Sequence, residues 1–283
     1  MFREVGKLYL RSFLLIFRRP QFLLITAGYL AITFGIKYAD TRIKSLNSLA
    51  LLNLSNLISC IISFALMVGF PLALLLMSNQ MERGIDLKDV LQKIKEYFWK
   101  FFRQSLAGAA LVFAYIFLFI CLTMYFVFTN DATLAGVFLV LLFLVLGYFS
   151  LGSVSLGQRI LFDDDRGAFQ NSFQGLRMLN ANFPFFAVLT IIGFLFSMAL
   201  FPVPYVIGTL ATGIDLFATP ISDFPQFMKN VYLATQTPLV YLWNFLFGLI
   251  VDPFFTILYT LAYQRVKNRP PYQSSLKTER RSL

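Results

Sequence analysis

The sequence contains no histidine, and this absence removes several classes of enzyme at once. Without histidine there is no Ser-His catalytic triad, no HExxH zinc site and no haem held by an axial histidine. An enzyme built from this chain would have to rely mainly on carboxylates. We therefore expect a protein that is not an enzyme, and we keep a carboxylate-dependent lipid enzyme as an alternative.

Cysteine and charge are also scarce. The two cysteines, Cys60 and Cys121, lie within apolar runs, which indicates neither a disulfide framework nor a metal-binding knuckle. Of the 283 residues, 13% are charged and 58% are hydrophobic, and the mean hydropathy is +0.71. Soluble domains are about half apolar and about a quarter charged. The composition therefore excludes a soluble domain and predicts a polytopic membrane protein, and no motif indicates a cofactor.

The net charge of +10 would suggest nucleic acid if the basic residues lay on a polar domain. Here they flank apolar runs instead, where they meet anionic lipid headgroups and set the orientation of the chain in the membrane. We expect 20 of the 24 Lys and Arg residues on the side that carries both chain ends. By the positive-inside rule, both termini are predicted to be cytoplasmic, with membrane lipids rather than nucleic acid as partners.

Six apolar runs predict six transmembrane helices in one all-α membrane domain, residues 1–264. Their expected positions are about 21–36, 53–78, 105–128, 133–157, 184–202 and 239–263. Pro71 is expected to kink the second span. The proline-rich segment 203–238 is too apolar for a freely solvated loop, so we expect a re-entrant or surface-lying segment. Residues 265–283 predict a basic, disordered cytoplasmic tail.

Amphipathic stretches precede the first, third and fifth spans, at residues 2–19, at residues 82–103 and from Gly167 to Leu179. In the first of them, Arg3, Lys7 and Arg11 recur about once per helical turn. Each stretch is followed by an elbow of basic or amide residues with aromatics, and then by a span with a glycine. This order predicts three helical hairpins, each preceded by a cytoplasmic interfacial helix.

Asp163, Asp164 and Asp165 form the one concentrated acidic cluster, and Arg166 follows it. One hypothesis is a divalent cation held against lipid phosphates, because hard cations prefer carboxylate oxygens. The other is a solvated cap in which Asp165 favours the N-terminus of the helix that follows. The second aspartate-rich motif of a prenyl-transfer site is missing, and we favour the cap.

Asp252 is predicted to lie near the middle of the membrane, where a carboxylate is costly. It is either a transport or proton-relay residue or a hydrogen-bonded structural aspartate, and Asn244 is a candidate partner. We favour the structural role. Arg159, Arg166 and Arg177 are candidate contacts for phosphate headgroups, and they would serve equally as positive-inside anchors without a specific ligand.

The segment LFDDDRGAFQNSFQGLRMLNANFPFF resembles the connection between the fourth and fifth spans of the YciC-like group of bacterial six-span membrane proteins, which is related to the membrane domain of glycerophosphoryl diester phosphodiesterases. The segment DPFFTILYTLAYQRVKNR resembles the closing pattern of the same group, with Pro253, Tyr259, Tyr263 and Arg265 at the corresponding positions. This copy has Phe183 and Pro184 where a tryptophan is common in the group. The resemblance implies a fold and a location, the bacterial inner membrane, and no agreed molecular activity.

We therefore expect a non-enzymatic inner-membrane protein that organises or maintains the cell envelope through anionic lipids, membrane-protein partners or a second copy of itself. The alternative is a transporter or lipid-handling permease that uses a cavity around Asp252.

Overall fold

The computed structural model describes residues 1–44, 49–128, 141, 145–163, 166–200, 202–214 and 224–267. Every regular element in these ranges is a helix, which confirms the all-α prediction for this part of the chain. The elements are α1 (Phe2–Arg18), α2 (Gln21–Lys44), α3 (Leu49–Gln80), α4 (Leu87–Phe128), a π-helical segment (Ser150–Leu156), α5 (Gly157–Asp163), α6 (Ala168–Ala181), α7 (Phe183–Leu200), α8 (Val203–Thr212), α9 (Phe224–Thr235) and α10 (Pro238–Lys267).

Within the described ranges, five stretches are long and apolar enough to cross a membrane, judged by length and composition. They are Gln21–Ala39, Ser55–Gln80, Leu87–Leu118, Phe183–Thr212 and Pro238–Lys267. A hydrocarbon core of about 30 Å needs about 20 helical residues, so each stretch except the first exceeds that requirement. The predicted fourth span, about 133–157, lies partly outside the described residues, which include 141 and 145–157 of it. The described chain is thus an α-helical, multi-pass membrane architecture.

The tightly packed core occupies one end of the bundle. It is built from the second half of α3, around Leu72 and Met77, and the second half of α10, around Ile257 and Leu261. Helix α1 closes this end by packing against α10 and α7, and the Tyr9 hydroxyl donates a hydrogen bond to the carbonyl oxygen of Leu189 at 3.0 Å.

The other halves of the long helices carry exposed apolar side chains. Such positions are found on α3, α4, α7 and α10, for example Ile61, Phe117, Leu195 and Leu246. In water these surfaces would be unfavourable, whereas lipid chains are an apolar solvent for them. The packed end and the exposed halves therefore have different surroundings in a membrane.

Helix α4 runs unbroken from Leu87 to Phe128, where the sequence predicted an interfacial helix followed by a separate span. Helix α4 contains no proline, and its first glycine, Gly108, lies beyond the expected break. No residue at the expected break therefore interrupts the backbone hydrogen bonds. Its 42 residues correspond to about 63 Å, about twice the hydrocarbon thickness. A bilayer can therefore hold only part of α4.

The segment expected to be re-entrant or surface-lying contains the helices α8 and α9, which pack against each other. A Cβ added at Gly208 would lie 2.5 Å from the carbonyl oxygen of Ala234, so the two backbones are in direct contact. The tail beyond Lys267 lies outside the described residues.

Helix α6 forms part of the packed end of the bundle. Its buried face, which includes Asn171, Ser172 and Gly175, contacts the π-helical segment, α5 and α4. A Cβ at Gly175 would lie 2.1 Å from the carbonyl oxygen of Gly152 in the π-helical segment. Only glycine permits this approach, because any side chain would overlap the neighbouring backbone.

Candidate functional site

Ion pairs gather separate basic segments at the packed end. Arg11 of α1 lies 3.0 Å from Glu82, in the turn between α3 and α4. Glu4 of α1 lies 2.6 Å from Arg265 near the end of α10. Exposed ion pairs of this kind stabilise a fold only modestly, so they matter here for the positions of the elements and not for stability. They show that α1, the α3–α4 turn and the end of α10 lie together.

Arg159 of α5 is buried at this end, with 4% of its surface exposed. Its Nε donates to Thr260 Oγ1 at 3.2 Å, its Nη1 to the carbonyl oxygen of Ser155 at 2.6 Å and its Nη2 to the carbonyl oxygen of Thr256 at 2.8 Å. The guanidinium also lies over the ring of Tyr259, 5.9 Å from its centroid. The three acceptors that Arg159 has among the described residues are uncharged.

The π-helical segment directly before α5 presents one of these acceptors. A π-helical turn is wider than an α-helical turn and shifts the backbone hydrogen bonds by one residue, and such turns are frequent at functional sites. Here Ser155, near the end of that segment, uses its carbonyl oxygen to hold the Arg159 side chain. The local backbone geometry therefore fixes the position of the guanidinium.

A chain of hydroxyl groups extends from Arg159 into the core. Thr260 Oγ1, which accepts from Arg159, lies 2.8 Å from Ser78 Oγ on α3. Ser78 Oγ also lies within hydrogen-bond distance of the carbonyl oxygen of Leu75, and Thr260 Oγ1 within hydrogen-bond distance of the carbonyl oxygen of Thr256. Each hydroxyl carries one proton, so one of the two donates to the other and the second donates to its own carbonyl. Because buried polar groups are costly without partners, this chain locks α3, α5 and α10 into one arrangement.

The charge of Arg159 has no carboxylate partner within the described ranges of the chain. Burial lowers the pKa of Arg159 to about 9, and the nearby phenols of Tyr259 and Tyr263 partly offset that effect. This value is well above neutral pH, so Arg159 remains a cation. A buried cation held only by neutral groups is an unusual and costly arrangement.

Arg159 lines a cavity of about 340 Å³ that is open to the outside. Two lysines line the same cavity: Lys93 of α4, which lies 2.8 Å from Asp89, and Lys267 of α10, which lies 2.8 Å from Asp163. The other lining residues are Leu76, Asn79, Gln80, Tyr97, Phe162, Asp163, Tyr263 and Gln264. The lining therefore combines three cations, one carboxylate and several neutral hydrogen-bonding groups, which suits an anion.

Asp163 also lines this cavity, and its Oδ2 accepts a hydrogen bond from the Tyr263 hydroxyl and pairs with Lys267. Asp164 and Asp165, the rest of the predicted metal cluster or helix cap, lie outside the described residues. Within the described ranges, no group of three Cys, Asp or Glu residues is placed to hold a metal ion. The residue that directly precedes α6 is Gly167, which makes no side-chain cap.

The other predicted headgroup contacts, Arg166 and Arg177, do not line the cavity. The backbone N–H of Arg166 donates to Asn171 Oδ1 at 3.3 Å, and Arg177 is exposed on α6. Of the three arginines singled out from the sequence, Arg159 is therefore the one that the fold buries beside a polar cavity.

Asp252 is half-buried in α10, and Asn244 is exposed eight positions earlier on the same helix. Eight residues correspond to about 12 Å along an α-helix, too far for a hydrogen bond between the two side chains. Neither residue lines the Arg159 cavity or a second cavity of about 360 Å³ between α2 and α3. The carbonyl oxygen of Asp252 accepts a hydrogen bond from Thr256 Oγ1 at 2.9 Å.

Sequence reasoning missed Lys93, Lys267 and the hydroxyl pair of Ser78 and Thr260. It named Tyr263 as part of the closing pattern and not as a site residue. A usable signal was the pair of threonines at 256 and 260, one turn apart in an otherwise apolar helix end. The lysines carried no such signal, because they are indistinguishable in sequence from other positive-inside residues.

Comparison with known proteins adds no assignment, because no protein-family profile, curated protein or solved structure matches this chain.

Proposed function

We propose that this protein is a non-enzymatic, multi-pass protein of the bacterial inner membrane that binds anionic lipid headgroups at its basic end and so helps to organise the envelope. In this proposal the chain crosses the membrane six times and both termini are cytoplasmic. The packed end, with α1, the α3–α4 turn, α5 and the end of α10, then faces the anionic lipids of the cytoplasmic leaflet.

The gathering of basic segments at one end of the bundle carries the proposal. The pairs Arg11–Glu82, Glu4–Arg265 and Asp163–Lys267 join these segments. Helix α2 begins beside this end and its 24 residues extend about 36 Å away from it, enough to cross the hydrocarbon. A Lys or Arg close to an anionic membrane surface contributes about 1 kcal/mol each to attraction, so several together give a strong preference for anionic lipid.

The two tryptophans can serve as fluorescence reporters of lipid contact, because Trp99 and Trp243 lie toward opposite ends of the bundle. Trp99 is exposed on α4 beside Lys100, and Trp243 lies near the start of α10, about 36 Å along that helix from Lys267. The variants Trp243→Phe and Trp99→Phe each leave one reporter. In vesicles of brominated phosphatidylcholine, fluorescence quenching reports which lipid contacts each tryptophan.

When phosphatidylglycerol is added, we expect it to replace the brominated phosphatidylcholine next to Trp99 more than its share of the lipid mixture would give. Next to Trp243 we expect replacement in proportion to that share. The preference at Trp99 should weaken between low and high salt, because exposed charges are screened. Equal displacement at both reporters, at every salt concentration, would rule out the proposed lipid contact. A reporter fusion that places the C-terminus outside the cytoplasm would rule out the proposed orientation.

A further inference from the structure

Among the residues that the structure describes, Arg159 has unused hydrogen-bonding capacity and no carboxylate that balances its charge. A guanidinium carries five N–H groups, and three of them are donated to Thr260, Ser155 and Thr256. On each of the two terminal nitrogens, one N–H has no acceptor in the described part of the chain. The side chain is buried, yet it lines an open cavity, so these groups are available to a molecule that enters the cavity.

Lys93 and Lys267 approach the same cavity from other helices. Each ammonium carries three N–H groups and pairs with one aspartate in the structure. Their side chains are 42% and 39% exposed, so they can turn toward a ligand without breaking the core. A cavity of about 340 Å³ is also within the size range of small-ligand sites, about 300–1,000 Å³.

We infer that the cavity formed by Arg159, Lys93 and Lys267 is a specific binding site for a phosphate group. A phosphate ester supplies several acceptor oxygens and a negative charge, which the described residues do not provide to the buried guanidinium. The group belongs either to a lipid headgroup or to a soluble phosphate. This inference rests on the proposed binding of anionic lipids and refines it, because it places the contact in one defined site instead of over the whole basic end.

Asp163 acts in this site as an internal competitor of the ligand. Its Oδ2 takes the Lys267 ammonium and the Tyr263 hydroxyl, both of which line the cavity and would otherwise face a bound phosphate. A ligand therefore competes with this carboxylate for Lys267 and Tyr263. Removing the charge of Asp163 therefore strengthens ligand binding, which is the opposite of what a metal-ligating aspartate would do.

The test uses the full-length protein in mild detergent and isothermal titration calorimetry. The probes are dihexanoyl phosphatidic acid, dihexanoyl phosphatidylcholine and inorganic phosphate. We expect saturable binding of the phosphatidic acid and a loss of at least tenfold in affinity in Arg159→Met and in Lys267→Gln. Asp163→Asn should bind several-fold more tightly, a gain that misfolding cannot produce.

Lys7→Gln is the matched control for Lys267→Gln, because Lys7 is exposed on α1 at the same end and outside the cavity. It should bind the phosphatidic acid as the unmodified protein does. Competition by inorganic phosphate would identify a soluble phosphate as a sufficient ligand, and its absence would identify the lipid as the source.

Equal weakening by Lys7→Gln and Lys267→Gln, with no gain in Asp163→Asn, would overturn the defined site and leave the broader lipid preference standing. Failure of the unmodified protein to distinguish phosphatidic acid from phosphatidylcholine would overturn both.

Discussion

Replacing Gly175 by alanine tests the backbone contact that positions Arg159. The added Cβ would lie 2.1 Å from the carbonyl oxygen of Gly152 and 3.0 Å from the backbone nitrogen of Gly157. Real Cβ contacts are almost never closer than about 3 Å, so α6 and the π-helical segment must separate by about 1 Å. No rotamer change relieves the overlap, because the opposing atoms are backbone.

The expected cost follows from two opposing effects. Overpacking a tightly packed site costs about 1–3 kcal/mol, and a clash with backbone belongs at the upper end of that range. Alanine returns up to about 1 kcal/mol through its better helix propensity. The net destabilisation is then about 2 kcal/mol, which corresponds to a fall of about 5 °C in the unfolding temperature of a chain of this size.

Gly28→Ala is the matched control, because Gly28 is also helical and a Cβ there would have no atom within 4 Å. It should be neutral or slightly stabilising through helix propensity. Thermal unfolding of both variants in the same mild detergent, followed by circular dichroism, gives the comparison. If Gly175→Ala unfolds at or above the temperature of Gly28→Ala, the close approach of α6 to the π-helical segment is refuted.

Two further predictions concern the contacts that close the bundle. Gly208→Ala should destabilise the α8–α9 pair by about 1–3 kcal/mol, because its Cβ would lie 2.5 Å from the carbonyl oxygen of Ala234, and faster proteolysis between the two helices would reveal the loss. Tyr9→Phe should cost about 1 kcal/mol in unfolding experiments, since it removes the hydrogen bond to Leu189. Burial, with a smaller contribution from Tyr259, raises the pKa of the Tyr9 hydroxyl above its ordinary value. The protonated Tyr9 hydroxyl therefore stabilises the folded state below about pH 10, and this contribution to the free energy of unfolding is lost as the pH rises above that value. Tyr9→Phe should therefore be less sensitive to alkaline pH than the unmodified protein, and equal sensitivity would contradict the burial of this phenol.

Much of the helical architecture follows from patterns that the sequence displays directly. Apolar runs predicted spans at about 21–36, 53–78, 184–202 and 239–263, and helices are observed at 21–44, 49–80, 183–200 and 238–267, because hydrophobic length is a strong and local signal. The amphipathic pattern also predicted a helix from Gly167 to Leu179, and the observed helix is Ala168–Ala181. Helix boundaries set by a change in polarity alone were less reliable. The expected break before residue 105 does not exist, because polarity changes there without any residue that ends a helix.

The candidate site was only partly predictable, because its chemistry depends on burial and on distant neighbours. Arg159 was singled out as one of three similar arginines, and nothing in its sequence neighbourhood distinguishes it from Arg177. The difference arises from α6, which crosses the π-helical segment at Gly175 and keeps Arg177 outside. Asp163 drew attention as part of an acidic cluster, whereas its partners Lys267 and Tyr263 are about 100 residues away.

The cavity joins α4, α5 and α10 through one shared space, so binding of an anion and stability of the packed end are thermodynamically linked. A ligand that binds only the folded state stabilises it by about 2.7 kcal/mol at 100 times its dissociation constant. A variant that moves the cavity walls should lose both stability and this ligand-dependent gain, as we expect for Gly175→Ala. Tyr9→Phe weakens a contact outside the cavity lining, so it should lose stability and keep the full gain. The two variants thus separate damage to the site from damage to the bundle, even where their unfolding temperatures without ligand are the same.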